Sequence, residues 1–398
     1  MKKKFKKQMI ILNIFIFIFS ALFSGCFDKS ELSQISVVIG IGIDKVSGDE
    51  PIAVTLEVVK TTGFKGSSDD SEKTSGSVFE VSTGKSFFDA LQNFSKVSPV
   101  VMDFTHAEVI IISRELCEDG ISQVIDYLNR NRQFRSINWL LISDKTAKEV
   151  LETTMPNEDI SSEGIDDMMT KLKKNASIIP VNLNNYTIRT NSESRTSFIP
   201  LASMEKSQNN SFDKIKIEKL AIFKNDKLVG ILSNEESKSL MWLSGDMKGH
   251  NIVFPLKSEK NNQNMSLEVF KKSADIIPYI TDGRVKFKIN CTGLADIREV
   301  DNAYLDPMMI EKIQYNTQKT LEKQLSELID KSQKTFNTDF IGFSEKIYEN
   351  DPKTWLKVKD NWDSIFPNVE YEVNFKINIT KIGIIKDNAV PDNKEGKN

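Results

Sequence analysis

The chain has 398 residues, with 53 Lys and Arg against 56 Asp and Glu, a formal net charge of −3, and 39% hydrophobic and 9% aromatic content. That composition can bury two or three cores, and its charge balance argues against nucleic-acid binding, which depends on neutralising phosphates. Three cysteines and two histidines exclude a disulfide scaffold and leave little for histidine chemistry.

The chain opens on Lys2, Lys3, Lys4, Lys6 and Lys7, followed by an apolar run from Met9 to Phe23 and then Ser24-Gly25-Cys26. This layout predicts an export signal. The run's 15 residues, at about 1.5 Å each, reach roughly 22 Å, short of a roughly 30 Å hydrocarbon core. Small residues before a cysteine instead suit a bacterial lipoprotein signal, in which Cys26 takes a thioether-linked diacylglycerol and becomes the first mature residue. Two acyl chains hold stably where one holds weakly. Removing residues 1–25 loses five lysines and no acids, leaving 48 basic against 56 acidic residues and a net charge of −8.

Val37 to Asp44 reads as a buried strand turning at Ser47-Gly48-Asp49 into Ile52 to Val59, and residues 61–77 as a polar surface loop. A short strand at Val78 to Val81 precedes a helix to about Lys96, opened by a capping box at Ser86 to Asp89. Then come a strand Ala107 to Ile112, a helix Arg114 to Asn129, a strand Ile137 to Ile142, a helix Asp144 to Thr153 and a helix Glu163 to Lys174. Ile178 to Pro200 has little periodicity and is expected as a connection, with a linker at Ser203 to Ser211.

The second half starts with a strand Lys214 to Phe223, an Asn225-Asp226 turn and a strand Leu228 to Leu232. A helix capped at Ser233 or Asn234 should end at Gly245, and Ile252 to Leu256 is a further strand. Val285, Phe287, Ile289 and Cys291 alternate with Arg284, Lys286, Lys288 and Asn290, a half-buried strand. Asp306-Pro307 starts a helix with Ile310, Ile313, Leu321, Leu325 and Leu328 on one face if Thr317 fills the gap. Asp351-Pro352 starts another, with Trp355, Val358, Trp362 and Ile365 on one face until Pro367. The last strand alternates Val369, Tyr371, Val373, Phe375, Ile377 and Ile379 with polar residues.

The fold class expected is α+β, elongated and multi-domain, with mixed or antiparallel sheets each packed with helices. The expected divisions are 1–25 (signal), 26–205, 206–265, 266–385 and a 386–398 tail.

No catalytic, cofactor or metal residue is assigned. His106-Ala107-Glu108 lacks the Pro-Cys-x-x-Cys partner of a zinc deaminase and reads as a strand-end histidine. Gly40-x-Gly42 lies within a strand and has Lys45 where a dinucleotide fingerprint needs glycine, so close backbone packing explains it better. His106 and His250 come with no triad motif. Asp166-Asp167 and Glu235-Glu236 read as solvated helix faces, Arg130, Arg132 and Arg135 as a surface patch, Trp355 and Trp362 as core, and Cys117 and Cys291 as buried thiols.

The order of several short segments resembles the Ger(x)C spore-germination lipoproteins, the C subunits of nutrient germinant receptors in endospore-forming bacteria. They are Gly25-Cys26-Phe27-Asp28, Gly40-Ile41-Gly42-Ile43-Asp44-Lys45, His106 to Ile110 with Ser113, and Ala221 to Lys224 with Asp226 to Gly230. Trp242, Asp339-Phe340-Ile341-Gly342-Phe343, Pro352, Trp355, Trp362 and Phe366 complete the set. The resemblance implies a non-enzymatic subunit tethered by Cys26 to the outer face of the spore inner membrane. It implies assembly with a membrane-embedded A subunit and a transporter-like B subunit in a complex that triggers germination. It also implies an elongated arrangement of three α/β domains, and direct nutrient binding by this chain is not expected. The other readings of such an exported, tethered chain are a solute-binding lipoprotein of a transporter and, further off, an exported hydrolase.

Overall fold

A computed structural model of the chain describes residues 35–60, 76–153, 158–194, 196–205, 214–244, 252–257, 264–300 and 307–382, together with residues 13 and 155. The export signal, Cys26, the linker beyond Glu205, His250 and the C-terminal tail lie outside them. The fold is α+β, built on two mixed sheets.

The first half runs β1 (Ile35–Lys45), β2 (Ile52–Val59), β3 (Ser77–Gly84), α1 (Phe87–Val97), β4 (Val101–Asp103), β5 (Val109–Ser113), α2 (Arg114–Asp119), α3 (Ser122–Arg130), β6 (Trp139–Ser143), α4 (Ala147–Leu151), α5 (Ser161–Lys174), α6 (Leu183–Thr190) and β7 (Phe198–Glu205). After it come β8 (Lys214–Lys224), β9 (Lys227–Ile231) and α7 (Asn234–Leu243). Among the described residues the first sheet has nine strands in the order β3-β2-β1-β5-β6-β7-β8-β9, with β4 beside β1. Its centre, β1-β5-β6-β7, is parallel, and its flanks are antiparallel. Parallel strands are covered on both faces, which is why Ile110-Ile111-Ile112 and Leu140-Leu141-Ile142 are unbroken apolar runs, all fully buried.

The second sheet holds β10 (Ile252–Lys257), β11 (Asn264–Thr281), β12 (Arg284–Val300) and β13 (Glu370–Ile382), in that order, with β12 and β13 parallel. Between β12 and β13 lie α8 (Pro307–Lys331), α9 (Phe343–Asn350), α10 (Pro352–Val358) and α11 (Trp362–Ile365). The divisions expected at residues 205 and 265 fall at the end of β7 and inside β11. One apolar cluster runs from Val38 through Trp242 and Phe287 to Trp362, so the two sheets share a core.

In α8, Ile313, Thr317, Leu321, Leu325 and Leu328 are buried, and Thr317 fills the gap in the stripe by donating its hydroxyl to the Ile313 carbonyl at 2.7 Å. The helix also covers the free edge of β13. Gln314, Gln318 and Glu322 accept from the backbone N–H groups of Ile379, Ile377 and Phe375 at 2.8, 2.9 and 3.3 Å. Four helical residues rise about 6.0 Å and two strand residues about 6.6 Å, so side chains four apart can meet N–H groups two apart. Sheet edges covered in this way are closed to further strands.

Three expected helices or connections differ. Arg114 to Asn129 is two helices, because Gly120 adopts φ 123° and the Ile121 N–H turns away to the Asp226 carbonyl. Ile178 to Pro200 contains α6, capped by Asn182, and the start of β7. Proline argues against a central strand, but pairing of β7 with β6 begins only at Leu201. The run Asp351 to Pro367 is broken into α10, a turn at Lys359–Asn361 and α11. Asp360 and Asn361, poor interior helix residues, sit at that break.

A polar cleft at the joint of the two halves

Helices in this protein are seated by carboxylates from distant strands and loops. Asp44 on β1 accepts from Ala147 and Lys148 N–H at 2.6 and 3.0 Å, capping α4 from 103 residues away. Glu57 on β2, fully buried, accepts from Ser161 and Ser162 N–H at 2.8 Å each, from Ser162 Oγ at 2.5 Å and from Ser77 Oγ at 2.7 Å. The residue before α5, Ile160, has no side chain able to cap, so Glu57 supplies the acceptor. Asp339 accepts from Gly342, Phe343 and Ser344 N–H at 3.0, 3.0 and 2.7 Å and from Trp362 Nε1 at 3.1 Å. Burial raises the Asp44 and Asp339 carboxyls above their ordinary value, and the N–H donors pull them back.

These contacts explain several segments singled out in the sequence. A Cβ on Gly40 would stand 1.9 Å from Ser162 Oγ, and one on Gly42 would stand 2.9 Å from Leu151 Cδ1. The Gly-x-Gly pair therefore lets α4 and α5 lie directly on β1. Gly230 faces the Phe336 ring in the same manner, at 2.3 Å from a built Cβ. Asp339 to Phe343 is the loop that opens α9, with Gly342 at φ 93°.

The remaining candidates are dispersed. His106 is exposed in a turn. Glu108 is half-buried, and burial, then Asp166 and Glu163, push its carboxyl up to about 7 against the opposing Arg135. Asp166 accepts from Trp139 Nε1 at 2.6 Å and Asp167 pairs with Lys171. Glu236 completes the capping box with Ser233 and pairs with Lys331 at 2.7 Å. Arg130 pairs with Asp126. Trp355 and Trp362 are buried edge to face, 5.9 Å apart at 71°. Cys117 and Cys291 are buried free thiols, both raised by burial, Cys291 to about 12. Among the described residues no group of three or more His, Cys, Asp or Glu is placed to hold a metal, and no helix is long and apolar enough to cross a membrane.

What the structure does bring together is a polar cleft of about 830 Å³ between the halves. One wall is α3 and α6 with the residues after α6. The floor is the β8–β9 turn, with Asn225 at φ 57°, and the far wall is the Thr338–Ser344 loop with Trp362 and Asp363. Polar clamps span it: Lys224 to Asp363 at 3.0 Å, Lys224 Nζ to the Asn337 carbonyl at 3.0 Å, and Ser344 Oγ to the Ser194 carbonyl at 3.0 Å. Asp226 stands in the expected Asn225-Asp226 turn and in the Asp226 to Gly230 segment, whereas Tyr186 and Ser197, also in the lining, form no spaced motif and fall in the stretch Ile178 to Pro200 that was expected as a connection.

Residues 28–204 match the family described as Spore germination protein N-terminal domain, and residues 218–383 match Spore germination B3/GerAC like, C-terminal. Spore germination protein B3 of Bacillus subtilis (strain 168) is 27% identical over 377 residues, covering 92% of this chain and 96% of that protein. Spore germination protein KC of the same organism is 25% identical over 381 residues, covering 90% and 92%. The crystal structure of the GerBC protein matches the fold with a TM-score of 0.58 at 21% identity, over 85% of this chain and 96% of that one. With both halves matched in order, the chain belongs to the Ger(x)C family of spore germination proteins.

Proposed function

We propose that this chain is the lipid-anchored C subunit of a nutrient germinant receptor. A diacylglycerol on Cys26 holds it to the outer face of the spore inner membrane, where it assembles with A-type and B-type subunits and takes part in signalling without chemistry of its own. The observation that carries this reading is the family match through both halves, residues 28–204 and 218–383. Two features support it. The basic and apolar leader ending in Ser24-Gly25-Cys26 fits acylation, and two acyl chains give a stable anchor. The buried carboxylates Asp44, Glu57 and Asp339 are each engaged in seating a helix, which leaves them poorly placed for acid and base work.

The test is purification from spore membranes followed by mass spectrometry. The wild-type chain should co-purify with A-type and B-type subunits and yield a diacylated Cys26 peptide. Cys26→Ala should release a folded chain from the membrane fraction and impair nutrient germination. Recovery of the wild-type chain without either partner, or wild-type germination of Cys26→Ala spores, refutes the proposal.

A further inference from the structure

The parallel strands of the first sheet begin on one edge of it. Gly40, Val109 and Trp139 stand level across β1, β5 and β6, and Ile35, where β1 starts, pairs with Val101. The segments that feed these strands, residues 104–108 and 131–138, therefore lie on that edge, and the Phe104 and Phe134 rings join them at 5.1 Å. Large apolar side chains stand in water there: Val101 is 64% exposed and Ile137 57%. Arg132 and Arg135 precede Ile137 in the same loop and are exposed as well.

The charge left uncommitted on this edge is cationic. Arg130 pairs with Asp126 at 2.8 Å, Asp103 accepts from the Thr105 N–H and hydroxyl at 2.9 and 2.7 Å, and Asp166 accepts from Trp139 Nε1 at 2.6 Å. Burial, then Asp166 and Glu163, push Glu108 up to about 7, so it carries about half of its charge at neutral pH. Arg132 and Arg135 form no ion pair among the described residues. A planar guanidinium offers two parallel donors to a phosphate, and apolar side chains beside it suit the boundary between headgroups and acyl chains.

The covalent reach of the chain decides what this edge faces. Nine residue steps separate Cys26 from Ile35, and at no more than about 3.6 Å each they span at most about 32 Å. Lys45, at the other end of β1, lies ten strand steps further on, about 33 Å. With Cys26 acylated, the reading on which this inference rests, the edge at Ile35 is the one the tether keeps nearest the lipid surface. We propose that this edge docks on an anionic bilayer, with Arg132 and Arg135 on lipid phosphates and Val101 and Ile137 at the headgroup boundary. The contact fixes the orientation of the first sheet on the membrane, which a tether alone leaves free.

The experiment uses the acylated full chain in vesicles of phosphatidylcholine, alone or mixed two to one with phosphatidylglycerol. Cys117 and Cys291 are buried, so a thiol-reactive dye placed by Ser136→Cys labels this edge, and one placed by Lys145→Cys, two residues beyond the end of β6, labels the opposite edge. Lipid carrying a spin label on its headgroup should quench the dye at position 136 and spare the dye at position 145 in the anionic vesicles, and omission of phosphatidylglycerol should abolish the quenching. Each basic side chain strengthens binding to an anionic surface about fivefold, so Arg132→Gln together with Arg135→Gln should weaken the docked state roughly 25-fold. Circular dichroism of the variants should match wild type. Flotation with the vesicles reports the tether separately. A chain that floats without quenching at position 136 retains its anchor and overturns the docking, leaving the edge to a protein partner. A chain that does not float overturns both. Equal quenching at the two labels, or quenching that the double arginine variant leaves unchanged, also overturns the proposal.

Discussion

Replacing Asp339 by Ala removes one side chain and strands four N–H groups. The carboxylate, 6% exposed, takes Gly342, Phe343 and Ser344 N–H at 3.0, 3.0 and 2.7 Å and Trp362 Nε1 at 3.1 Å. Loss of an ordinary helix cap costs about 1 kcal/mol. A hydrogen bond to a charged group contributes about 1.5–3 kcal/mol, and a buried donor left unpaired costs about 1–3 kcal/mol. The four bonds act as a unit and do not add. Counting one charged bond and one stranded donor gives a loss of about 4 kcal/mol for Asp339→Ala. Asp339→Asn keeps one acceptor oxygen and should lose about 2 kcal/mol. Urea unfolding followed by tryptophan fluorescence reports on this region directly, since Trp355 and Trp362 pack together beside it. Ser86→Ala, which removes the cap of α1, is the reference for an ordinary cap. If Asp339→Ala is no more costly than Ser86→Ala, the inference that this carboxylate ties α9 to α11 is wrong.

Lys272 donates to the Met241 and Ser244 carbonyls at the end of α7 and is 8% exposed; burial lowers its ammonium to about 8 from an ordinary 10.5. The unfolded chain keeps that proton up to about 10.5, so between about 8 and 10.5 the unfolded state binds more protons and stability rises with pH. Lys272→Met lacks this dependence, and the stability of wild type relative to it should climb by up to about 3 kcal/mol between pH 7 and 10. A flat difference in chemical denaturation across that range refutes the assignment. Gly40→Ala should displace Ser162 from Glu57 and cost about 1–3 kcal/mol, more than Gly42→Ala, whose Cβ would meet the end of the Leu151 side chain at 2.9 Å and Ala147 at 3.3 Å. Equal melting shifts for the two variants would sink that reading. The double variant Gln314→Leu, Gln318→Leu should uncover the β13 edge and give concentration-dependent association in light scattering; a chain that behaves as wild type at every concentration counts against it.

The elements with strong periodicity were legible. In β13, Phe375 and Ile377 are buried where alternation placed them, and α8 carries the expected stripe with Thr317 in the gap. The Ser233 and Asp351 caps are where the start signals put them, and Ser86 caps α1, although Asp89 returns to Lys85 N–H rather than to Ser86. What failed was short or governed by a distant group. The break at Gly120 is fixed by the Asp226 carbonyl and α5 is capped by Glu57, partners more than a hundred residues away that no local window contains.

The α+β class, most strand faces, the family and the expectation of a tether at Cys26 could all be read along the chain, because periodicity, caps and the order of short segments are local or linear properties. What those segments do emerges only from their packing. Gly40 and Gly42 are clearance for two helices, Gly230 is clearance for Phe336, and Asp339 is the acceptor that joins α9 to Trp362. The same packing makes Tyr186, Ser197 and Asp226, separated along the chain, line one cleft. Close approach and hydrogen-bond satisfaction are properties of three-dimensional packing, so the residues that meet at the joint become visible only when the two sheets come together.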